Sequence, residues 1–375
     1  MGKSKGDDTT ELVSAQTRLP SKPVAEPVAH FVVVVDGSEA GKKIELGLDA
    51  VSVGRAEDNA LSLADPCVSG HHCTIGFIDG RVWVEDRGST NGSYVDEVRV
   101  AGRAEWPITA PLRLGNQVLR REYRHREEVR KADALSEDLR RAAHYVQSLL
   151  PAPLPRGPVK AAWRFVPSAG LGGDIFDYFW LDADHFVFYL VDVCGHGTGA
   201  ALHSVSVFNL LRQRALAGVD FHHPAQVLAA LNRSMPMDRY NDMYFTVWYG
   251  VLRPADHSLD YAAAGHPPAL LFDHQGGLLE RLESPDPPIG VIGETDYREA
   301  RLTLPPASLI YLYSDGLYEF TTGNGDIWSC DAFAYLLEQQ LKIGQGQPEL
   351  VFQQVRKLAA TEQIEDDISL LRIGS

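Results

Sequence analysis

Cysteine is scarce in this chain: four in 375 residues, at positions 67, 73, 194 and 330, with no CxxC pair among them. A disulfide framework is thereby excluded, and reduced thiols are the expectation. Basic charge is short as well. Lys and Arg number 35 against 50 Asp and Glu, a net charge of −15, which argues against a general nucleic-acid binder. No apolar run approaches the length of a membrane span. The opening residues, MGKSKGDDTTELVSAQ, lack the apolar core of a secretory signal. Their start matches a myristoylation site too briefly to carry weight, so a cytoplasmic protein is expected. With 45% hydrophobic and 23% charged residues, the composition is globular, and the length accommodates two domains and a connector.

Residues 1–28 are polar, Pro-bearing and without hydrophobic period, and read as a disordered tail. From 29 to 120, short β-prone runs alternate with turns: at Phe31, Lys43 to Leu46, Val51 to Val53, Cys73 to Ile78, Val82 to Val84 and Leu112 to Leu114. Asp36-Gly37, Asp79-Gly80 and Asn91-Gly92 are hairpin-favouring pairs between them, so this stretch reads as a small all-β sandwich. Three of its loop motifs stand apart: Gly54-Arg55, Ser69-Gly70-His71-His72 and Ser89-Thr90-Asn91-Gly92. Arginine presents a charged fork that matches a phosphate face, a serine hydroxyl adds a donor, and an asparagine amide can clamp a peptide backbone.

A connector over 121–158 follows, with a helical period across 119–150. Val129, Ala132, Ser136, Leu139, Ala143, Val146 and Leu150 form a heptad seam diluted by Ala and Ser. Such a seam suits a solvated connecting helix or a dimeric coiled coil. Pro151, Pro153, Pro155 and Pro158 stop the helix.

From 159 to 375 strands and helices mix, and the stretch FVFYLVDVCGHGTGAAL, Phe186 to Leu202, organises them. A buried strand ends near Asp192, a Gly195-His196-Gly197 turn follows, and Thr198 is the expected cap of a helix running to Ala217. Asp174 follows a glycine-rich turn, Asp315 follows the strand run Ser308 to Tyr313, and Asp366 stands before the last strand. Each marks a junction between an apolar strand and a turn. Converging carboxylates repel one another, and hard divalent cations such as Mg²⁺ or Mn²⁺ remove the conflict. No cluster of His or Cys offers a softer site. The order of elements suggests helices covering packed antiparallel sheets.

Two resemblances follow from these motifs. The GR, SxxH and NG order over 29–120 resembles the forkhead-associated (FHA) domain, a phosphothreonine reader. The resemblance implies that Arg55 and Ser69 bind phosphate, Thr90 supports the loop, and Asn91 holds the peptide main chain. Gly70 and His71 depart from the larger or basic residues of many relatives, which bears on peptide preference. The blocks VQSLLP, GGDIFD, VDVCGHGTGAAL, MYFTVWYGVL, YAAAGHPPAL, LYSDGLYE and EDDISLL resemble the SpoIIE-like branch of the PPM protein phosphatases.

That second likeness implies an α/β PPM sandwich with two divalent cations, Mn²⁺ or Mg²⁺. Asp192 would bridge both, the Val193 carbonyl would add an oxygen, Asp174 would serve one ion, and Asp315 and Asp366 the other. Asp177, Asp367, His196 and His266 would be supporting residues. The implied reaction is one-step hydrolysis of phosphoserine or phosphothreonine by a metal-bridging hydroxide, with Cys194 dispensable. Implied partners are a phosphothreonine protein at the FHA domain and a phosphoprotein substrate such as an anti-sigma antagonist. A homodimer could form through the linker helix. The rival reading is an inactive phosphatase-like scaffold that binds phosphoproteins.

Overall fold

The computed structural model describes residues 28–47, 49–78, 80–168, 170–361 and 366–374. The tail expected to be disordered lies, but for Val28, outside the described residues, as does Asp79 of one expected turn. The chain divides into two compact units, Met1–Leu135 and Ser136–Ser375.

The first unit is two β-sheets face to face. One runs in the order Lys43–Leu46, Val28–Asp36, Gln117–His125, Leu112–Leu114, Ser93–Val95 and Val98–Arg99; the other runs Leu61–Ser62, Val51–Gly54, Cys73–Ile78, Arg81–Asp86 and Arg103–Glu105. Strand alternation sends Val32, Val34, Val53, Ile75, Val84 and Leu119 into one core around the buried Trp106, whose indole N–H donates to the Ala110 carbonyl at 2.9 Å. One expectation is corrected. Residues 119–125 are not helical but extend the strand Gln117–His125, whose backbone groups pair with Val28–Asp36. Tertiary pairing outweighs the helical period of that short, polar stretch.

The helix therefore begins later, at Arg126, and runs to Leu149. Along the seam Leu139 is exposed, whereas Ala143 and Val146 pack on Leu171 and Ala201.

The second unit has four layers. One antiparallel sheet runs Ile175–Trp180, Phe186–Val193, Phe245–Arg253, Ser258–Ala264 and Ala300–Thr303; the other runs Lys160–Val166, Ile368–Gly374, Leu309–Tyr313, Ala269–Phe272 and Leu278–Leu282. Phe186, Phe188 and Leu190 meet Ile310, Leu312, Leu371 and Ile373 between the sheets. On the alternate positions, Val187, Tyr189 and Val191 meet the helices Thr198–Arg212 and Pro224–Ser234. Tyr311, Tyr313 and Leu370 likewise meet the helices Cys330–Lys342 and Pro348–Leu358. A strand covered on both faces reads as an unbroken apolar run, and each such large side chain contributes roughly 1.5–3 kcal/mol of burial.

Three helix details differ from expectation. Gly197, at φ +85°, occupies the cap position, and Thr198 is the first helical residue. That helix ends at Arg212 rather than Ala217, because Arg214 turns left-handed at φ +55°. Cys330–Lys342 is a helix that sequence periodicity did not single out; Ser329 caps it by accepting from the Ala332 N–H at 3.2 Å.

Candidate functional site

The four acids come from four strand ends. Asp192 stands one residue before the end of Phe186–Val193, opposite Thr246 in the register. Alternation puts it on the face of Phe188 and Leu190, turned toward the second sheet. Asp315 follows Leu309–Tyr313, and Asp366 precedes Ile368–Gly374, two strands paired in that second sheet. Asp174 precedes Ile175–Trp180, the hairpin partner of Phe186–Val193. The backbones close in as well. A side-chain carbon on Gly173 would stand 2.9 Å from the Val193 carbonyl oxygen, and one on Gly316 would overlap the Asp367 carbonyl. Glycine is what lets these loops meet.

Asp367, a supporting residue by expectation, ties the loop before Asp174 in place. Its carboxylate accepts from the Ser168 N–H at 2.7 Å, the Ser168 hydroxyl at 3.0 Å and the Gly173 N–H at 2.5 Å. Asp177 lies on the helix face of its strand and pairs with Arg212 at 2.8 Å. His266 is buried with Nδ1 2.8 Å from the Thr246 hydroxyl, and burial holds its pKa down to about 3, so it is a neutral ring.

The carboxylates act on one another. Burial, then the charges of Asp315, Asp366 and Asp367, pushes Asp192 up to about 8. Asp174 is 2% exposed, and burial followed by Asp192 and Asp367 raises it well above the ordinary range. Its Oδ2 has no hydrogen-bond partner. Asp315 rises to about 6 through burial, Asp366 and Glu319. Burial raises Asp366 too, against the Asp367 N–H it accepts at 2.8 Å and the nearby His196. An all-oxygen set with an orphaned buried carboxylate oxygen fits Mg²⁺ or Mn²⁺, which take few protein carboxylates and keep several waters. Among the described residues, no three of these four acids bring their donor oxygens within 4.8 Å of one another.

In the first unit the three loop motifs are laced together. The Arg55 N–H donates to the Ser69 carbonyl at 2.9 Å, and the Thr90 N–H donates to the Ser69 hydroxyl at 3.0 Å. Asn91 donates its amide to the Cys67 carbonyl at 2.8 Å. The buried His72 accepts the Ser69 N–H on Nδ1 at 3.1 Å, which leaves Nε2–H to donate to the Gly92 carbonyl at 3.2 Å. Asp86, on which sequence reasoning was silent, grips the Ser89–Gly92 loop. Burial alone would raise its carboxyl, but the Ser89 and Ser93 hydroxyls, both at 2.7 Å, and the Ser89 and Gly88 N–H groups hold it down to about 2. Arg55, Thr90 and Asn91 are left exposed and Ser69 half-buried on one set of adjacent loops.

The family model described as Stage II sporulation protein E (SpoIIE) matches residues 182–374, just over half of the chain. The chain belongs to the SpoIIE family. An FHA model matches residues 51–115, so the first unit contains an FHA domain. Among curated relatives, the phosphoserine phosphatase RsbP of Bacillus subtilis is 28% identical over 49% of this chain and 46% of its own length. The phosphoserine phosphatase RsbU of the same organism is 26% identical over 63% of this chain and 70% of its own. The FHA domain-containing protein FhaB of Mycolicibacterium smegmatis is 41% identical over 24% of this chain and 59% of its own. The chain thus spans less than half of RsbP. The solved SiaA-PP2C domain of Pseudomonas aeruginosa covers 65% of this chain and 98% of its own at 20% identity, with a TM-score of 0.57, a likeness of fold. Asp192, Asp315 and Asp366 of the SpoIIE unit fall inside the matched residues, and Asp174 lies before them.

One group escaped sequence reasoning. The fold brings Asp182, His185 and His222 together, contrary to the expectation that no His cluster forms. Asp182 and His185 share a short turn, but only the fold supplies His222.

Proposed function

We propose that this chain is a metal-dependent protein serine/threonine phosphatase, targeted or controlled by phosphothreonine binding to its FHA domain. The observation that carries the reading is the raised proton affinity of Asp174, Asp192, Asp315 and Asp366, caused first by burial and then by neighbouring carboxylates, a strain that divalent cations relieve. Those four carboxylates and the Val193 carbonyl would hold two cations, Mg²⁺ or Mn²⁺. When bound, such ions supply a water of lowered pKa and neutralise phosphoryl charge. The chain's own contribution is placement. Asp192 rides a strand buried on both faces, and Asp367 fixes the loop that carries Asp174. His196 stands at the exposed turn near Asp366.

RsbP and RsbU are named phosphoserine phosphatases; on that likeness the substrate is a phosphoserine or phosphothreonine protein, an anti-sigma antagonist or one like it. At the FHA domain, Arg55 and Ser69 would bind phosphate, with Thr90 supporting and Asn91 holding the peptide backbone. Their shared loop cluster and the exposed Arg55 support this assignment. Among the described residues no helix is long and apolar enough to cross a membrane, and a cytoplasmic location suits such a substrate. Exposed Leu135 and Leu139 on the linker helix favour a homodimer.

Hydrolysis of a generic aryl phosphate by the full chain, with and without Mn²⁺, tests the activity. A chain that binds phosphothreonine peptide yet shows no Mn²⁺-dependent turnover would be the inactive scaffold instead. Control through the linker has its own support. Val146 packs on Leu171, three residues before Asp174, and on Ala201, in the first turn of the helix after His196. A shift of this helix therefore reaches both metal-site loops. Adding phosphothreonine peptide should change the rate on the small substrate; an unchanged rate leaves tethering, which raises local phosphoprotein concentration, as the role of the FHA domain.

A further inference from the structure

The turn between Ile175–Trp180 and Phe186–Val193 carries Asp182 and His185, and the loop after the helix Thr198–Arg212 carries His222. Among the described residues, these form the group of His, Cys, Asp or Glu side chains whose donor atoms all lie within 4.8 Å of one another. We propose that Asp182, His185 and His222 bind a transition-metal dication of the Zn²⁺ class, at a site separate from the carboxylate centre.

Donor chemistry favours that class. Two imidazoles and one carboxylate suit zinc-like ions, whereas the catalytic acids offer oxygen alone. The outer shell is also in place. His222 turns Nε2 to Asp182 Oδ2 at 2.7 Å and Nδ1 to Asp220 Oδ1 at 2.6 Å. A carboxylate behind the far nitrogen is how ligating histidines are oriented. Asp182 divides its oxygens in the same spirit: Oδ1 accepts the Asp184 and His185 N–H groups at 2.8 Å each, which fixes the carboxylate and leaves Oδ2 for a ligand. His185 Nδ1 lies 2.9 Å from that Oδ2. Ligands held tetrahedrally at ~2.0–2.1 Å stand roughly 3.3 Å apart, so partly exposed side chains need open by only about half an ångström. Charge closes too. A dication balances Asp182 and Asp220 and takes the place of the Nε2 proton that His222 donates to Asp182, while Nδ1–H still donates to Asp220.

His185 and Asp192 are seven residues apart on or beside one strand, about 23 Å at ~3.3 Å per residue, so the two centres occupy opposite ends of it. Metal here would staple the hairpin to the loop joining the helices Thr198–Arg212 and Pro224–Ser234. The staple braces the strand that holds Asp192 from the end remote from the reaction. Arg214, donating to the Leu181 carbonyl at 2.8 Å, holds the same turn without metal, so the ligand variants should still fold.

The test uses the full chain saturated with Mn²⁺, dialysed against Zn²⁺ and analysed for bound metal. Wild type and Asp192→Asn should each retain one more zinc per chain than the double variant His185→Ala/His222→Ala. Asp220→Asn should weaken that zinc about 10- to 100-fold by removing the orienting carboxylate. Equal zinc in wild type and the double variant, or loss of the extra zinc in Asp192→Asn, would overturn the site. Should the double variant fail to fold, as judged by metal-free melting, His222→Gln decides in its place, and undiminished zinc there overturns the site equally.

Discussion

The two binding regions solve opposite electrostatic problems. In the FHA loops every acid that matters is satisfied: Asp86 is held down to about 2 by hydroxyls and N–H groups, and the motifs exchange backbone bonds until Arg55 is left facing solvent. In the SpoIIE unit the acids oppose one another. Asp192 is pushed up to about 8, and Asp174 keeps an orphaned buried oxygen. A reader of phosphate can be finished before its ligand arrives, because the charge it needs is exposed and hydrated. A cation centre is incomplete alone, because its ligand supplies the missing charge.

Removing one acid should break this contrast most severely. Asp192→Asn deletes the buried carboxylate that the charges of Asp315, Asp366 and Asp367 push up, and aryl phosphate hydrolysis with Mn²⁺ should fall about a thousandfold, equivalent to roughly 4 kcal/mol of transition-state stabilisation. The same variant should melt higher than wild type in the metal-free form at neutral pH, since a buried carboxyl that must take up a proton on folding is gone. A variant both inactive and less stable without metal would mean that the acids do not repel.

Acidity sharpens the point. Asp192 and Asp315, raised above the ordinary aspartate value of 3.8 to about 8 and about 6, keep protons in the folded metal-free chain that the unfolded chain releases. Their contribution to stability is complete below about pH 4 and is lost as pH rises through about 8. Melting in a chelator should therefore drop between pH 5.5 and 8.5, and excess Mg²⁺ should flatten the slope. A wild-type slope equal to that of Asp192→Asn would remove Asp192 from the account.

How much of this was legible beforehand follows from range. Strands such as Cys73–Ile78 and Phe186–Val193 declare themselves locally, by β-branched and aromatic residues between turns. The four acids were visible for a similar reason: each stands at the start or the end of an apolar strand, beside a turn. Residues 119–125 misled because pairing with Val28–Asp36, more than eighty positions away, decides their conformation. The group of Asp182, His185 and His222 was hidden because forty residues separate its halves. Asp86 stays silent in sequence, since an acid that grips backbone N–H groups looks like any surface acid.

The FHA side should respond more gently. Arg55→Ala removes the charged fork, and phosphothreonine peptide affinity should drop about 10- to 150-fold, the equivalent of roughly 1.5–3 kcal/mol for charge-assisted bonds. Arg55→Lys should recover only part, because an ammonium cannot offer two parallel donors. Hydrolysis of the aryl phosphate by either variant, in the absence of peptide, should match wild type. A comparable fall in both readouts would mean that Arg55 supports the fold and not a phosphate.

The smallest effect belongs to the residue nearest the chemistry that has no part in it. Cys194 follows the Val193 carbonyl, and its sulfur accepts a weak bond from the Tyr244 N–H at 3.3 Å. Its own N–H donates to the Tyr244 carbonyl at 3.0 Å, so the backbone at this corner is held whatever the side chain. A serine hydroxyl can accept the same N–H, and a reaction driven by an activated water needs no thiol. Cys194→Ser should hold within about twofold of wild-type turnover, the range expected when only a weak hydrogen bond is altered. Iodoacetamide should leave the turnover of the serine variant unchanged, and a collapse of turnover in Cys194→Ser would move the nucleophile from water to the thiol.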